Sequence, residues 1–178
     1  MVARRAVICW LVQGLVASGV FVSDATSNPQ SAPRAWPLVH IPDPVARRVT
    51  IQALEAASER LASEQCRRIL ADFPEQDRPL TDTLSALSVD VRTYLTMLVF
   101  IDDSRNRYCA SGIVAFTAPG SRVVRVCVDE LKAIWTRNPE HTIATFIHEV
   151  LHTLGLRENP PSSSTITARV LSRCGRLP

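Results

Sequence analysis

Nowhere does the sequence interleave a lysine or arginine stripe with aromatic side chains, and aromatic residues amount to only 6% of it. A nucleic-acid-binding surface is therefore not encoded, and the formal net charge of +3 comes from scattered basic residues. Internal repeats and long low-complexity runs are also missing, which excludes a repeat array. The cysteines form no paired knuckle motif, so a structural zinc held by thiolates is not expected. Methionine is confined to Met1 and Met97. Glycine and proline are absent from Val45 to Phe73, and no Asp, Glu or His follows Glu158.

What is present fits one domain. A chain of 178 residues, 46% of them hydrophobic, is long enough to bury one core and too short for a second comparable domain. At the start, Arg4 and Arg5 precede an apolar run from Ala6 to Val22, with small residues at Ser23 and Ala25. This is a signal-peptide pattern and places residues 1–25 in a cleaved leader, with cleavage after Ala25 or nearer Ala17 to Gly19. The alternative is an uncleaved anchor, since the run approaches the length of a membrane span. The expected location is secreted or periplasmic, without stable membrane insertion after cleavage. Residues 26–44 carry Pro29, Pro33, Pro37, Pro42 and Pro44 and cannot form a regular helix, so they read as a linker, either lying across the surface with Trp36 and Val39 as anchors or disordered. Residues 45–178 are the expected domain.

Of the five cysteines, Cys9 falls in the leader. Cys66, Cys109, Cys127 and Cys174 then enter an oxidising compartment, where two disulfides are the natural expectation. Sequence does not choose among the pairings. Cys66–Cys174 with Cys109–Cys127 is the preferred set because it would tie the first long helix to the last, and buried free thiols are the alternative.

The unbroken stretch Val45–Phe73, with Val49, Leu54, Leu61, Ile69 and Phe73 near one face, predicts a long amphipathic helix. Its opposite face, from Arg47 to Arg68, reads as solvated and ion-paired. A short helix is expected around Leu80–Leu87, a β-prone run at Tyr94–Ile101, a turn at Asp102–Asn106, and a hairpin from Gly112–Thr117 and Arg122–Val128. The fold class is therefore α+β: a small mixed or antiparallel sheet packed on a later helix, with a long N-terminal and a short C-terminal helix.

That later helix has marked ends. Asn138 can cap it, Pro139 suits its first turn, Glu140 complements its dipole and Gly155 can end it. Ile143, Ile147, Val150 and Leu154 form its core stripe. His148 and His152 lie one turn apart, so both imidazoles can reach one divalent ion at the ~2.0–2.1 Å typical of zinc. Glu149 projects beside them, where its carboxylate can take a proton from a water activated by the metal and return it to a leaving group. His148-Glu149-Val150-Leu151-His152 is thus the His-Glu-x-x-His arrangement.

A third ligand is still required. Downstream only Glu158 and Cys174 carry a suitable donor, and Cys174 is assigned to a disulfide. A turn at Gly155 could swing Glu158 back to the metal. Upstream, His141 shares the helical face, but its axial offset from His148 of about 10.5 Å is too great for one ion.

These residues resemble the zincin superfamily of metallopeptidases, and in particular its metzincin-like branch. The stretch reads His148-Glu149-Val-Leu-His152-Thr-Leu-Gly155-Leu-Arg-Glu158, with Glu where that branch has its third ligand. The motif is also similar to that of exported bacterial proteins in which Asn-Pro-Pro-Ser-Ser follows the metal site, as Asn159 to Ser163 do here. The resemblance covers about residues 122–161. It implies a Zn2+ cofactor, an antiparallel-edged mixed sheet packed on the active-site helix, and a peptide or protein substrate extended along the edge strand. With no methionine downstream of the motif and only twenty residues after Glu158, the resemblance is to a minimal, divergent zincin without the methionine turn of metzincins.

The expected activity is that of an exported zinc peptidase, with Glu149 catalytic and His148, His152 and Glu158 as ligands. The rivals are a catalytically silent binding protein of the same fold and an exported zinc amidase. Tyr108, Tyr94, Arg157 and His141 are the candidates for stabilising an oxyanion.

Overall fold

The structure is a computed structural model that describes residues 36–73 and 79–175, all within one compact unit. The expected signal peptide and the first part of the expected linker lie outside the described residues.

The linker expectation is corrected at its C-terminal end. Leu38–His40 forms a strand, β1, and Ile41 behind it is buried. Pro37, Pro42 and Pro44 flank the strand, so their missing N–H groups cost it no ladder bond, and the Leu38 N–H donates to the Leu98 carbonyl at 3.1 Å. Pro44 then occupies the first turn of helix α1, Pro44–Ala62, capped by the Asp43 carboxylate.

The single helix expected across Val45–Phe73 is also corrected. It stops at Ser63, whose extended backbone ends α1 and whose hydroxyl accepts from the Cys66 N–H to start α2, Glu64–Arg67. A further turn, α3, covers Ile69–Asp72. Serine competes for local backbone groups in this way, and apolar periodicity alone does not register it.

After α4, Thr81–Ala86, comes a third correction: the β-prone run at Tyr94–Ile101 divides. Asp90 caps a helix, α5, Val91–Thr96, and only Val99–Asp102 is strand β2. Side-chain preference for strands is weak where a cap and burial favour a helix, and both Tyr94 and Leu95 are buried on α5. The expected hairpin is present as β3, Ala115–Phe116, and β4, Val123–Val126. Helix α6, Val128–Arg137, follows without having been anticipated. Helices α7, Pro139–Thr153, and α8, Ser163–Cys174, complete the chain.

The architecture is α+β, as the sequence predicts. The sheet order is β1-β2-β4-β3, with β1, β2 and β4 parallel and β3 antiparallel at the edge. Helices α1, α6 and α8 pack around α7, which also touches β3 and β4. The result is that α7 is enclosed from Thr142 to Thr153, Thr145 alone being half-exposed. No helix among the described residues is long and apolar enough to cross a membrane.

Both expected disulfides are present, Cys66–Cys174 and Cys109–Cys127. Beside the first, Arg173 of α8 donates to both oxygens of Asp72 at 2.8 and 3.0 Å and holds that carboxyl below its usual pKa. Replacing Cys66 and Cys174 together by alanine is expected to lower the unfolding free energy by about 4–5 kcal/mol, because the entropy a cross-link removes from the denatured chain grows with loop length. That bond spans 108 residues of sequence. The Cys109–Cys127 bond spans 18, and its removal should cost about 3 kcal/mol on the same basis. Urea unfolding of the two double variants checks the ranking, and a larger loss for the short loop would contradict it.

Candidate metal centre

Helix α7 carries the site because its two ends are fixed. At the start, the Asn138 side chain accepts from the His141 N–H at 3.1 Å, and Glu140 pairs with Arg60 of α1 at 2.7 Å. At the end, the Gly155 N–H donates to the His152 carbonyl and the Leu156 N–H to the Leu151 carbonyl, the paired bonds of a Schellman motif. The motif requires a positive φ, which Gly155 adopts at 116° and a residue with a Cβ would resist. Leu151 and Leu156, the two apolar positions that the motif brings together, are fully buried.

The carbonyls of the last turn are satisfied from outside the helix. The Tyr94 hydroxyl donates to the Thr153 carbonyl at 2.9 Å, Thr83 Oγ1 to the Leu154 carbonyl at 3.1 Å, and the Gly120 N–H of the hairpin turn to the His152 carbonyl at 2.9 Å. The hairpin and helices α4 and α5 are thereby tied to the end of α7 that bears His152.

The turn at Gly155 has two consequences for the histidines. It places the Leu156 carbonyl 2.7 Å from His152 Nδ1. A carbonyl only accepts, so Nδ1 holds the hydrogen and Nε2 of the neutral ring keeps a lone pair. It also returns Glu158 to the helix, with Oε1 at 3.3 Å from His152 Nε2 and 3.6 Å from His148 Nε2. The two Nε2 atoms are 2.8 Å apart. On its other side, His148 Nδ1 lies 2.9 Å from Thr167 Oγ1 of α8.

His148, His152 and Glu158 therefore converge, each offering a donor atom within 4.8 Å of the others, and the group could hold a metal ion. Bonds of ~2.0–2.1 Å to a tetrahedral ion set its ligand atoms about 3.3 Å apart, and the three separations lie within about 0.5 Å of that. Burial, and then the neighbouring His152, push the His148 pKa down to about 4. The ring is neutral near pH 7, the form a metal requires.

Glu149 is buried beside this group. Its Oε2 has no hydrogen-bond partner, while the Thr117 backbone N–H at the end of β3 donates to the carboxylate. Burial, and then the Glu158 charge, raise its pKa well above the ordinary value, and the Thr117 bond opposes them. A buried carboxylate with an unpartnered oxygen next to three convergent donors fits a positively charged occupant.

The structure thus brings together His148, Glu149, His152 and Glu158. It does not bring Tyr94 to the site as an oxyanion donor, since that hydroxyl is committed to Thr153. Tyr108 is about half-exposed and packs on Phe116, the rings tilted by 57° with centroids 5.4 Å apart. His141 lies half-exposed in the first turn of α7 and Arg157 is exposed. Thr167, the Leu156 carbonyl and the Thr117 N–H were not anticipated. Gly155 could have signalled the second of these through its helix-ending role, whereas the other two depend on long-range packing.

Compared with known proteins, the chain matches no family model, no curated protein and no solved structure.

Proposed function

We propose that the protein is an exported zinc-dependent hydrolase acting on peptide bonds. One observation carries this reading: a buried carboxylate with an unpartnered oxygen, Glu149, adjoins a convergent pair of imidazoles and a second carboxylate, Glu158. Two nitrogen donors and one oxygen donor suit Zn2+, and three protein ligands leave a coordination position open, as hydrolytic zinc sites do. The two disulfides accord with an oxidising compartment outside the cytoplasm.

A zinc ion held by His148, His152 and Glu158 would polarise the scissile carbonyl and favour ionisation of the attacking water. Glu149 Oε2 takes the proton of that water and delivers it to the amine leaving group. The Thr117 N–H orients the Glu149 carboxylate, and Leu156 orients His152. Exclusion of solvent around both histidines, each about 5% exposed, strengthens these interactions. Thr117 directly follows the short antiparallel edge strand β3, so an extended peptide following that edge would reach Glu149.

Metal analysis of the purified protein, with a digest of mixed peptides by the same sample, tests the reading. About one equivalent of zinc with metal-dependent cleavage is expected, on the basis of one three-ligand site. Zinc-free protein, or zinc-loaded protein that cleaves no peptide, would overturn it.

A further inference from the structure

Two outer contacts orient the histidines, and they differ in kind. His152 is oriented by a backbone carbonyl, an acceptor in every sequence that keeps the turn. His148 is oriented by a side chain, Thr167 Oγ1, contributed from α8 nineteen residues away. An imidazole coordinates through Nε2 only when the hydrogen is on Nδ1, and an acceptor opposite Nδ1 selects that tautomer and fixes the ring plane.

From this contact we infer that Thr167 is the positioning residue of the metal centre, holding His148 in the tautomer and orientation that presents Nε2 to the ion; this rests on the metal-centre reading above. The hydroxyl is well held for that purpose. Ser162 caps α8 by accepting from the Thr165 N–H, and Ile166, adjacent to Thr167, and Val170, one turn further on, are fully buried. At the far end the Cys66–Cys174 bond and the Arg173–Asp72 pair tie α8 to α2 and α3. Thr167 Oγ1 therefore reaches His148 from a helix anchored at both ends.

The contact also explains why a threonine belongs there. A threonine hydroxyl on a helix can bond back to a carbonyl of its own helix, as Thr136 does to Lys132 and Thr145 to His141. Thr167 instead directs its oxygen across to α7. A valine of the same shape would keep the packing and remove the acceptor, whereas a serine would keep the acceptor.

The test is zinc affinity by competition with a chromophoric chelator, for wild type, Thr167→Val and Thr167→Ser. It is paired with nitrogen-15 NMR of the histidine rings in the zinc-loaded proteins and with thermal unfolding to verify the fold. Thr167→Val should unfold normally, bind zinc about 10–100-fold more weakly, as expected for loss of an outer-sphere partner, and shift the His148 Nδ1 resonance. Thr167→Ser should lie within about threefold of wild type. If both variants bind zinc like wild type with an unchanged His148 resonance, Thr167 does not position the ring, although the metal centre stands. If they weaken equally, the hydroxyl is irrelevant and the inference is overturned. Absence of zinc binding by wild type would refute the metal-centre reading and this inference with it. Should Thr167→Val fail to fold, Thr167→Ala in the same assays decides between the first two outcomes.

Discussion

Glu149→Gln is expected to keep its zinc and lose hydrolysis by about two to four orders of magnitude, the usual contribution of a positioned general base. The three donors that converge are His148, His152 and Glu158, so replacing Glu149 removes no ligand. Glutamine has the same shape, and its amide oxygen can still accept from the Thr117 N–H, so the surroundings should hold their form. It has no carboxylate oxygen to receive a proton at neutral pH. Zinc content and kcat/KM measured on the same preparation separate the two roles. Loss of zinc comparable to the loss of rate would make Glu149 a ligand or a structural group instead of the proton carrier.

Glu158→Ala should have the opposite signature, losing zinc and turnover together. Its carboxylate is the only donor from outside α7 in the convergent group, and two imidazoles one turn apart leave zinc two ligands short of its usual four. The expected loss of affinity exceeds the ~10–100-fold typical of an outer-sphere partner. Glu158→Asp and Glu158→His each retain a donor and should keep part of the binding. Arg157→Ala, in the same turn, controls for general damage and should leave affinity close to wild type. If Glu158→Ala binds zinc as tightly as Arg157→Ala does, Glu158 is not a ligand.

The legible parts of this fold were those governed by local rules. Asn138, Pro139 and Gly155 mark the ends of α7 because capping, a fixed proline φ and a positive glycine φ are each properties of one or two residues. The core stripe from Ile143 to Leu154 follows from helical periodicity, and all four of its residues are buried. The two disulfide pairings emerged correctly, although spacing alone could not choose them.

What the sequence did not reveal required knowledge of neighbours. Leu38–His40 becomes a strand only because β2 is there to pair with it, and its flanking prolines made it look like linker. Tyr94 belongs to a helix because Asp90 caps the segment and because its hydroxyl finds the Thr153 carbonyl fifty-nine residues away. At the site, donor types and spacing could be read from His148 to Glu158, whereas the contacts from Thr167 and Thr117 come from α8 and from the residue after β3. No periodicity within α7 encodes them.

The central claim is that one zinc ion is held by His148, His152 and Glu158, and X-ray absorption at the zinc edge of the purified protein addresses it most directly. The account predicts a first shell of nitrogen and oxygen scatterers only, at ~2.0–2.1 Å, with the outer-shell pattern of two imidazoles. A sulfur scatterer near 2.3 Å, an outer shell lacking imidazoles, or protein without zinc would contradict it.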